Sequence, residues 1–403
     1  MDSFAVERMI MSNSITLPLP EIGAQFLLRR DVTFLNHGSY GACPLPVFET
    51  YQHWQRELEY QPVDFLGRRT PGLLAEARAV LAGYLHADMA DLVWVPNATL
   101  GVNVVARSLN LLPGDEILAT DHEYGAVDRT WRFICGERGA RYINQPINLP
   151  LADPSEVVEQ LWAGVTPHTK VISISHISSP TALIFPVAEI CRRAREAGIL
   201  TLIDGAHAPG QIPLDLEQIG ADFYTGNCHK WMCSPKGAGF LHARREMQHL
   251  LKPLVVSHGY ESTTPSGSTY QDYFGWAGTC DPAAYLSVPA AIAFQQSYDW
   301  VNVQAACHAL LVEARSRIAE MTGLVQVCPD SPEWISQLCV LPMPTSPEID
   351  LGRLWKQYQI EAPITTWRDR RFVRISIQAY NTPADIERLI EAIGAVVVDA
   401  GAE

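Results

Sequence analysis

Residues 201–210 read TLIDGAHAPG, and residues 221–231 read ADFYTGNCHKW. In each stretch a short apolar run ends in polar residues and glycine, as a strand does when it enters a loop. The first run delivers Asp204 to a loop, and the second delivers Lys230. A carboxylate and a lysine at two successive strand ends predict a functional site at one edge of a sheet.

Similar apolar runs lie on both sides of this pair. The seven predicted strands are residues 92–95, 116–120, 141–147, 171–177, 199–204, 221–225 and 239–243. Amphipathic stretches with helical spacing lie between them, most clearly at residues 71–87 and at residues 186–198, which end in Gly198. This alternation predicts an α/β fold: a mainly parallel seven-stranded sheet with helices on both faces and ligands at the carboxyl ends of the strands.

The pattern changes after about residue 290. A long helical region leads into apolar runs at residues 324–327, 335–341 and 372–378. A last helix is predicted to start with Thr382 as its N-cap and Pro383 as its first residue. We therefore predict an N-terminal lead-in (1–33), a large domain (34–288) and a smaller α+β C-terminal domain (289–403).

Composition narrows the classes of function. The formal net charge of −14 argues against a nucleic-acid partner. The nine cysteines form no CxxC pair, and an odd count fits reduced thiols better than a disulfide framework. No segment approaches the ~20 consecutive apolar residues that span a membrane. We expect a cytoplasmic protein without a membrane partner.

The chemistry of Asp204 and Lys230 suits pyridoxal 5′-phosphate (PLP). Alone, an aspartate at a strand end usually caps a turn, and a lysine is usually a solvated charge. Together they match what PLP needs: a carboxylate beside the pyridine nitrogen, and a lysine that forms the Schiff base and then acts as general base. Partial burial would lower the pKa of the lysine for that second role.

These residues belong to a set of motifs that is recognisable over roughly residues 33–395. The motifs are Asp204-Gly205-Ala206-His207, Asn227-Cys228-His229-Lys230, residues 96–103 (PNATLGVN), Ala277-Gly278-Thr279, residues 34–41 (FLNHGSYG), and residues 373–376 (VRIS) with Tyr380-Asn381. The chain resembles the class V aminotransferase family of fold-type I PLP enzymes, which includes cysteine desulfurases and isopenicillin N epimerase-like proteins. Asn-His-Gly-Ser-Tyr-Gly at residues 36–41 points to the epimerase-like branch.

A phosphate needs backbone N–H groups at a helix N-terminus. Residues 97–99 follow a predicted strand and open a predicted helix, so the N–H groups of Ala98 and Thr99 are candidate phosphate donors. By the resemblance, Asn227 and His229 add side-chain bonds to the phosphate.

The resemblance implies the remaining cofactor contacts. Tyr124 would stack on the cofactor ring, with His122 as the competing candidate. His207 would bond near the phenolic oxygen, and Ser179 lies near the same oxygen where relatives often carry asparagine. Thr279 matches the residue that reaches the phosphate from the partner subunit, which implies a homodimer with shared active sites.

Arg374 is the predicted clamp for the substrate α-carboxylate, because a guanidinium matches a carboxylate bidentately. It lies on a predicted strand, where an unpaired buried charge would be costly. The neighbouring Arg368, Arg370 and Arg371 are interpreted as solvated. Asn36 and His37 are predicted to form one wall of the substrate pocket.

The reaction is left open between elimination, epimerisation and transamination. Residues 360–371 contain no cysteine, where cysteine desulfurases carry a mobile nucleophilic one. Cys228 is interpreted as a buried bystander thiol. We favour a C–S lyase acting by β-elimination on a cysteine-derived substrate, with an isopenicillin N epimerase-like epimerase or an aminotransferase as the alternative. A non-catalytic regulator or scaffold and a nucleotide-binding dehydrogenase are disfavoured, because the lead-in is too short for a DNA-binding domain and no GxGxxG follows the first strand.

Overall fold

The computed structural model describes residues 19–346 and 348–399. Residues 1–18 of the predicted lead-in therefore lie outside the described residues. The strands are β1 Thr33–Phe34, β2 Leu92–Val95, β3 Glu116–Thr120, β4 Arg141–Gln145, β5 Thr169–Ser175, β6 Leu200–Gly205, β7 Phe223–Asn227, β8 Gly239–Ala243, β9 Leu338–Met343, β10 Ile360–Glu361, β11 Ile364–Trp367 and β12 Arg370–Ser376. The helices are α1 Leu19–Ala24, α2 His37–Tyr40, α3 Leu45–Tyr60, α4 Pro62–Asp64, α5 Thr70–Leu85, α6 Ala98–Ser108, α7 Gly125–Arg138, α8 Pro154–Trp162, α9 Val187–Glu196, α10 Leu216–Ile219, α11 Thr269–Gly275, α12 Ala283–Leu286, α13 Val288–Gln296, α14 Trp300–Thr322, α15 Arg353–Lys356 and α16 Pro383–Asp399.

The seven central strands form one sheet in the order β2-β8-β7-β6-β5-β3-β4. All neighbouring pairs are parallel except those of β8, which runs antiparallel to both β2 and β7. The predicted mainly parallel seven-stranded sheet is confirmed, although several strands are shifted by one or two residues from the predicted bounds.

Both faces of this sheet are covered, and the side chains of a strand alternate between them. Leu202 and Phe223 pack in one apolar cluster with Ile117 and Trp131. Their strand neighbours Ile203 and Tyr224 pack in the other, larger cluster. Because both faces are buried, the strands read in the sequence as continuous apolar runs.

The C-terminal part carries a three-stranded antiparallel sheet, β11-β12-β9, together with the long helix α14 and the final helix α16. The helix α16 starts at Pro383, as predicted. The predicted run at residues 324–327 forms no strand; instead the carbonyl of Val327 accepts a hydrogen bond from Leu151 N. The division at residue 288 stays a prediction.

The N-terminal segment joins the two parts of the chain. Strand β1 pairs in parallel with β10, and Asn36 forms an isolated bridge with Ser376 at the end of β12. Residues 33–36 therefore run along the C-terminal strands before the chain reaches the seven-stranded sheet. In the described part of the chain, no helix is long and apolar enough to cross a membrane.

Candidate active site

A cavity of about 250 Å³ lies at the carboxyl ends of β5, β6 and β7. This is the edge of the sheet at which the sequence predicted a site. The residues that line it are Ser39, Tyr40, Asn97, Ala98, Thr99, Tyr124, Ser175, Ile177, Ser179, Asp204, Ala206, His207, Asn227, His229 and Lys230.

Asp204 is the second-last residue of β6 and is 7% exposed. One carboxylate oxygen accepts a hydrogen bond from Ala206 N at 2.9 Å, and among the described residues no donor contacts the other. Burial raises the pKa of Asp204, against the lowering effects of the Ala206 bond and of Lys230. A cationic donor placed in the cavity would relieve that cost and keep the carboxylate ionised.

Lys230 extends from the loop after β7 and lies in the same cavity. Burial lowers the pKa of Lys230 to about 8; the charge of Asp204 opposes this shift and that of Arg374 adds to it. A neutral amine is therefore accessible near neutral pH, as a nucleophile or general base requires.

His207 contacts the lysine directly. Its Nε2 lies 3.2 Å from Lys230 Nζ, and its Nδ1 accepts a hydrogen bond from Trp231 Nε1 at 3.3 Å. The histidine is 4% exposed, and burial, followed by the charge of Lys230, lowers its pKa well below the usual value. His207 is therefore a neutral imidazole.

One end of the cavity is the N-terminus of α6. Asn97 caps this helix through a bond from Leu100 N to its Oδ1, and Ala98 N donates to Asn227 Oδ1 at 2.8 Å. The Ala98 N–H, predicted to bind phosphate, is thus engaged by Asn227, which is itself a predicted phosphate contact. The N–H of Thr99 belongs to the first helical turn, where backbone donors have no intrahelical partner.

His229 lies at the same end. Its Nδ1 is 2.9 Å from the carbonyl oxygen of Ala238, which can only accept, so Nδ1 carries the proton. Burial lowers the pKa of His229 to about 4. The neutral ring therefore presents an unprotonated Nε2.

The two candidates for the stacking ring occupy different places. Tyr124 precedes α7, is 48% exposed and lines the cavity. His122 is fully buried, with Nδ1 at 2.7 Å from Thr181 Oγ1 and Nε2 at 3.0 Å from the carbonyl oxygen of Ile147. Of the two rings, the structure places only Tyr124 where a ligand in the cavity can touch it.

Arg374 lies on β12 and is 6% exposed. Its Nη1 donates to the carbonyl oxygen and the Oγ of Ser179, and its Nη2 donates to Ser39 Oγ. Both serines line the cavity, and the buried Nε of Arg374 has no hydrogen-bond partner among the described residues. A buried charged donor without a partner is costly. Arg374 itself is not among the residues that line the cavity; it reaches the lining through Ser39 and Ser179.

Asn36 and His37, predicted to form one wall of the substrate pocket, are not among the residues that line the cavity. Asn36 donates from Nδ2 to Glu361 Oε1 and accepts from Ser39 Oγ. His37 is fully buried and its ring is bonded to Tyr380 Oη and to the carbonyl oxygen of Lys230. The ring therefore holds the backbone of the lysine loop. Thr279 is exposed and does not line the cavity of its own chain.

Arg368 is exposed, as interpreted from the sequence, but it also forms contacts that the sequence did not indicate. Its guanidinium contacts Asp121 at 2.7 Å and lies over the Trp367 ring at 4.3 Å, and Trp367 Nε1 bonds to the carbonyl oxygen of Asp121. Strands β11 and β12 form a hairpin here, and these contacts tie its turn to Asp121, directly after β3. In this region, which contains no cysteine, Trp367 is buried whereas Ile364 and Thr366 are exposed.

Sequence reasoning gave no role to several lining residues, among them Ser39, Tyr40, Ser175 and Ile177. Ser39 and Tyr40 lie in the quoted motif at residues 36–41, so a signal existed for them. Ser175 lies in the predicted strand 171–177 and ends the observed strand β5 beside Asp204, its register partner in β6. The contact of Trp231 Nε1 with His207 Nδ1 is not indicated by the sequence either.

Comparison with known proteins gives a consistent result. The sequence profile of the family described as Aminotransferase class-V matches residues 43–389. An isopenicillin N epimerase of Amycolatopsis lactamdurans is 36% identical over 377 residues, covering 90% of this chain and 94% of its own. A putative L-cysteine desulfhydrase of Oryza sativa subsp. japonica is 30% identical over 412 residues, covering 91% of this chain and 84% of its own.

Two solved structures share the fold. A cysteine desulfurase of Escherichia coli superposes with a TM-score of 0.79 at 23% identity, covering 94% of this chain and 98% of its own. A cystine C–S lyase, solved in complex with its product cysteine persulfide, superposes with a TM-score of 0.77 at 22% identity, covering 91% and 98%.

Proposed function

From the premise that the chain belongs to the class V aminotransferase family and is a PLP-dependent enzyme, we propose that it cleaves a C–S bond of a cysteine-derived amino acid by β-elimination. The observation that carries this proposal is the Lys230 amine, lowered in pKa to about 8 and directed into the cavity that Asp204 also lines. A single base on one face of the substrate is sufficient for elimination.

The residues present fit the cofactor. Asp204 has a carboxylate oxygen free for the protonated pyridine nitrogen, and Lys230 is within reach of the same cavity. We assign phosphate binding to the start of α6, with Asn227 and His229 beside it. The N–H of Thr99 is available for the phosphate, whereas the N–H of Ala98 would have to exchange Asn227 Oδ1 for it. We assign ring stacking to Tyr124, and hydrogen bonds near the phenolic oxygen to His207 and Ser179.

When bound, PLP supplies an electron-accepting ring that stabilises negative charge at the substrate α-carbon. Asp204 holds the proton at the ring nitrogen, which keeps the ring electron-poor. Lys230 Nζ takes the proton from the α-carbon, and the resulting ammonium can pass a proton to the departing sulfur. Burial of Lys230 and Asp204 keeps water away from both proton positions.

Arg374 is proposed to bind the substrate α-carboxylate. Its unpartnered Nε and its Nη2 lie on one edge of the guanidinium, which can meet a carboxylate bidentately. Asn36 holds Ser39, and Ser39 in turn contacts Nη2. His37 supports the same wall by fixing the Lys230 backbone.

Epimerisation is the second candidate, because an isopenicillin N epimerase is 36% identical to this chain. A two-base epimerisation needs a second proton donor facing Lys230 across the substrate. Four acid–base side chains of the cavity already have other proposed places: Lys230, Asp204 and His207 form one cluster, and His229 lies at the proposed phosphate end. The remaining acid–base side chains that line the cavity are the phenols of Tyr40 and Tyr124. The cavity of about 250 Å³ must also hold the cofactor, which favours a compact amino acid over a tripeptide.

The test is incubation of the PLP-loaded enzyme with L-cysteine, with cysteine thioethers or sulfoxides, and with L-amino acids in deuterated water. Release of pyruvate and ammonia, abolished by Lys230→Ala, is the expected result. Deuterium at the α-carbon with inversion, lost in Tyr40→Phe or Tyr124→Phe, would establish epimerisation instead. Accumulation of the aminated cofactor with a keto acid would establish transamination.

We also propose a homodimer in which Thr279 of each subunit contacts the phosphate in the other. Thr279 is exposed and outside its own cavity, as this arrangement requires. Light scattering should give about twice the mass of the 44.6 kDa chain. Thr279→Ala should weaken retention of PLP without changing that mass, and a monomer that retains PLP normally would contradict the assignment.

The cytoplasmic location stays a prediction from the sequence. All nine cysteines are free thiols in the structure, as a reducing compartment allows. Cell fractionation of the tagged full chain would test it.

A further inference from the structure

We propose that Trp231 is a positioning residue that holds His207 in the Nε2–H tautomer, so that this histidine always presents a hydrogen-bond donor towards Lys230 Nζ. The contacts are Trp231 Nε1 to His207 Nδ1 at 3.3 Å and His207 Nε2 to Lys230 Nζ at 3.2 Å. Trp231 follows Lys230 directly in the chain. Lys230 and the tryptophan that orients His207 therefore lie on the same loop.

The tautomer follows from the chemistry of the donors. An indole N–H can only donate, so the nitrogen that it contacts must be an acceptor. In a neutral imidazole one nitrogen accepts and the other carries the proton, so His207 Nδ1 is bare and Nε2 is protonated. The imidazole is neutral because it is fully enclosed and lies beside the lysine.

This tautomer has a direct consequence for Lys230. A neutral amine has a lone pair that can accept the Nε2–H bond, whereas an ammonium has only donors and would oppose it. The histidine therefore favours the neutral amine, in the same direction as burial, which lowers the pKa of Lys230 to about 8. The opposite tautomer would remove this donor and place two N–H groups against each other at Trp231.

The indole is held firmly enough to impose this choice. Trp231 is fully buried, its carbonyl oxygen accepts from Gln295 Nε2 at 2.8 Å, and its ring lies against that of His37 with centroids 5.0 Å apart. Gly38 packs against the ring itself, since a Cβ there would lie 3.4 Å from Trp231 Cζ2, and a Cβ at Gly210 would lie 2.4 Å from the Trp231 carbonyl carbon. The ring cannot turn away without disturbing this packing.

The inference rests on the PLP chemistry of the family and not on which bond is broken. Its first test is therefore a nitrogen-15 NMR spectrum of the PLP-loaded enzyme labelled at histidine, with His207 assigned by its loss in His207→Gln. The expected spectrum has His207 with an unprotonated Nδ1 and a protonated Nε2, whether the enzyme eliminates or epimerises. A protonated Nδ1 in the wild-type enzyme would overturn the proposal.

The second test is a double-mutant cycle. Trp231→Phe removes the N–H but keeps an aromatic ring, and it should lower the Nε2–H fraction and kcat about three- to tenfold, with KM within about twofold. The visible absorption of the bound cofactor, and the pH at which it changes, should shift with the tautomer. In the His207→Gln background the amide has no tautomer to fix, so Trp231→Phe should change kcat less than about twofold.

Trp131→Phe is the matched control, because Trp131 is also fully buried and its Nε1 donates to Ser173 Oγ at 2.8 Å, away from Lys230. It should lower the melting temperature as Trp231→Phe does, without moving the cofactor absorption. Equal spectral effects in the two variants would reduce Trp231 to a packing role and overturn the proposal. So would an unchanged His207 tautomer in Trp231→Phe.

Discussion

His229 should take up a proton when the enzyme binds the phosphate of PLP. In the structure its Nδ1 donates to the Ala238 carbonyl, so the neutral ring has only a lone pair at Nε2. Only the imidazolium can donate from Nε2 to a phosphate dianion. Burial lowers the pKa of His229 to about 4, so protonating it at pH 7 costs about 4 kcal/mol, which the charge-assisted bond to the phosphate must offset.

The sign of the pH dependence follows from linkage. The phosphate raises the pKa of His229 above its value of about 4 in the free enzyme, so binding is favoured at low pH. The affinity should fall about tenfold per pH unit between pH 4 and the pKa in the complex, and become independent of His229 above that pKa.

Calorimetry in buffers of different ionisation enthalpy measures the protons taken up. Pyridoxine 5′-phosphate is the suitable ligand, because it has no aldehyde and leaves the protons of Lys230 out of the balance. His229→Gln offers an amide donor that needs no proton, so at pH 7 the wild-type enzyme should take up about one proton more than this variant. Equal proton uptake by the two proteins would refute the assignment of His229 to the phosphate.

Three further predictions concern the clamp, close packing and a buried charge. Arg374→Lys keeps the charge but loses the planar fork, so KM should rise about 10- to 100-fold with kcat little changed; an unchanged KM in steady-state kinetics would remove Arg374 from substrate binding. A Cβ at Gly101 would lie 2.1 Å from Thr225 Oγ1, so Gly101→Ala should lower the free energy of unfolding by about 1–3 kcal/mol. Gly83→Ala, with nothing within 4 Å inside α5, should raise it by up to about 1 kcal/mol in the same denaturation assay, and similar values for both would contradict the packing argument. Arg315 is fully buried and pairs with Asp330. Asp330→Ala leaves the buried guanidinium without this partner and should lower the free energy of unfolding by about 3 kcal/mol. Arg315→Met removes the charge and should lower the free energy of unfolding clearly less.

The large sheet could be predicted because its strands are buried on both faces. Runs such as Leu200–Gly205 and Phe223–Asn227 are buried almost throughout; each begins with large apolar residues and ends in polar residues that reach the cavity. Strands β1, β10 and β11 were missed because they have two to four residues and lie at sheet edges, where no apolar run is needed. Strand signals in the sequence come from burial, and short edge strands have little of it.

The parts of the site that could not be predicted are contacts between distant residues. Arg374 and Ser39 are 335 positions apart, and Arg368 and Asp121 are 247 apart. Nothing local in the sequence distinguishes an exposed arginine without a partner from one that pairs with an aspartate far away in the chain. Lys230 and Asp204 could be predicted as a site because Asp204 lies near the end of β6 and Lys230 lies three residues after β7, and β6 and β7 are parallel neighbours.

The segment at residues 36–41 ties the two halves of the site together. His37 bonds to the carbonyl oxygen of Lys230 and to Tyr380, while Gly38 N bonds to Ser376, two residues beyond Arg374. Gly41 has φ 73° and lies so close to the lysine loop that a Cβ would come within 2.0 Å of the His229 carbonyl oxygen. Lys230, the proposed base after β7, and Arg374, the proposed carboxylate clamp on β12, are thus both held by six consecutive residues. Because proton abstraction requires the α-carbon at a fixed distance from Lys230 while its carboxylate is bound to Arg374, this segment sets the geometry that the reaction needs.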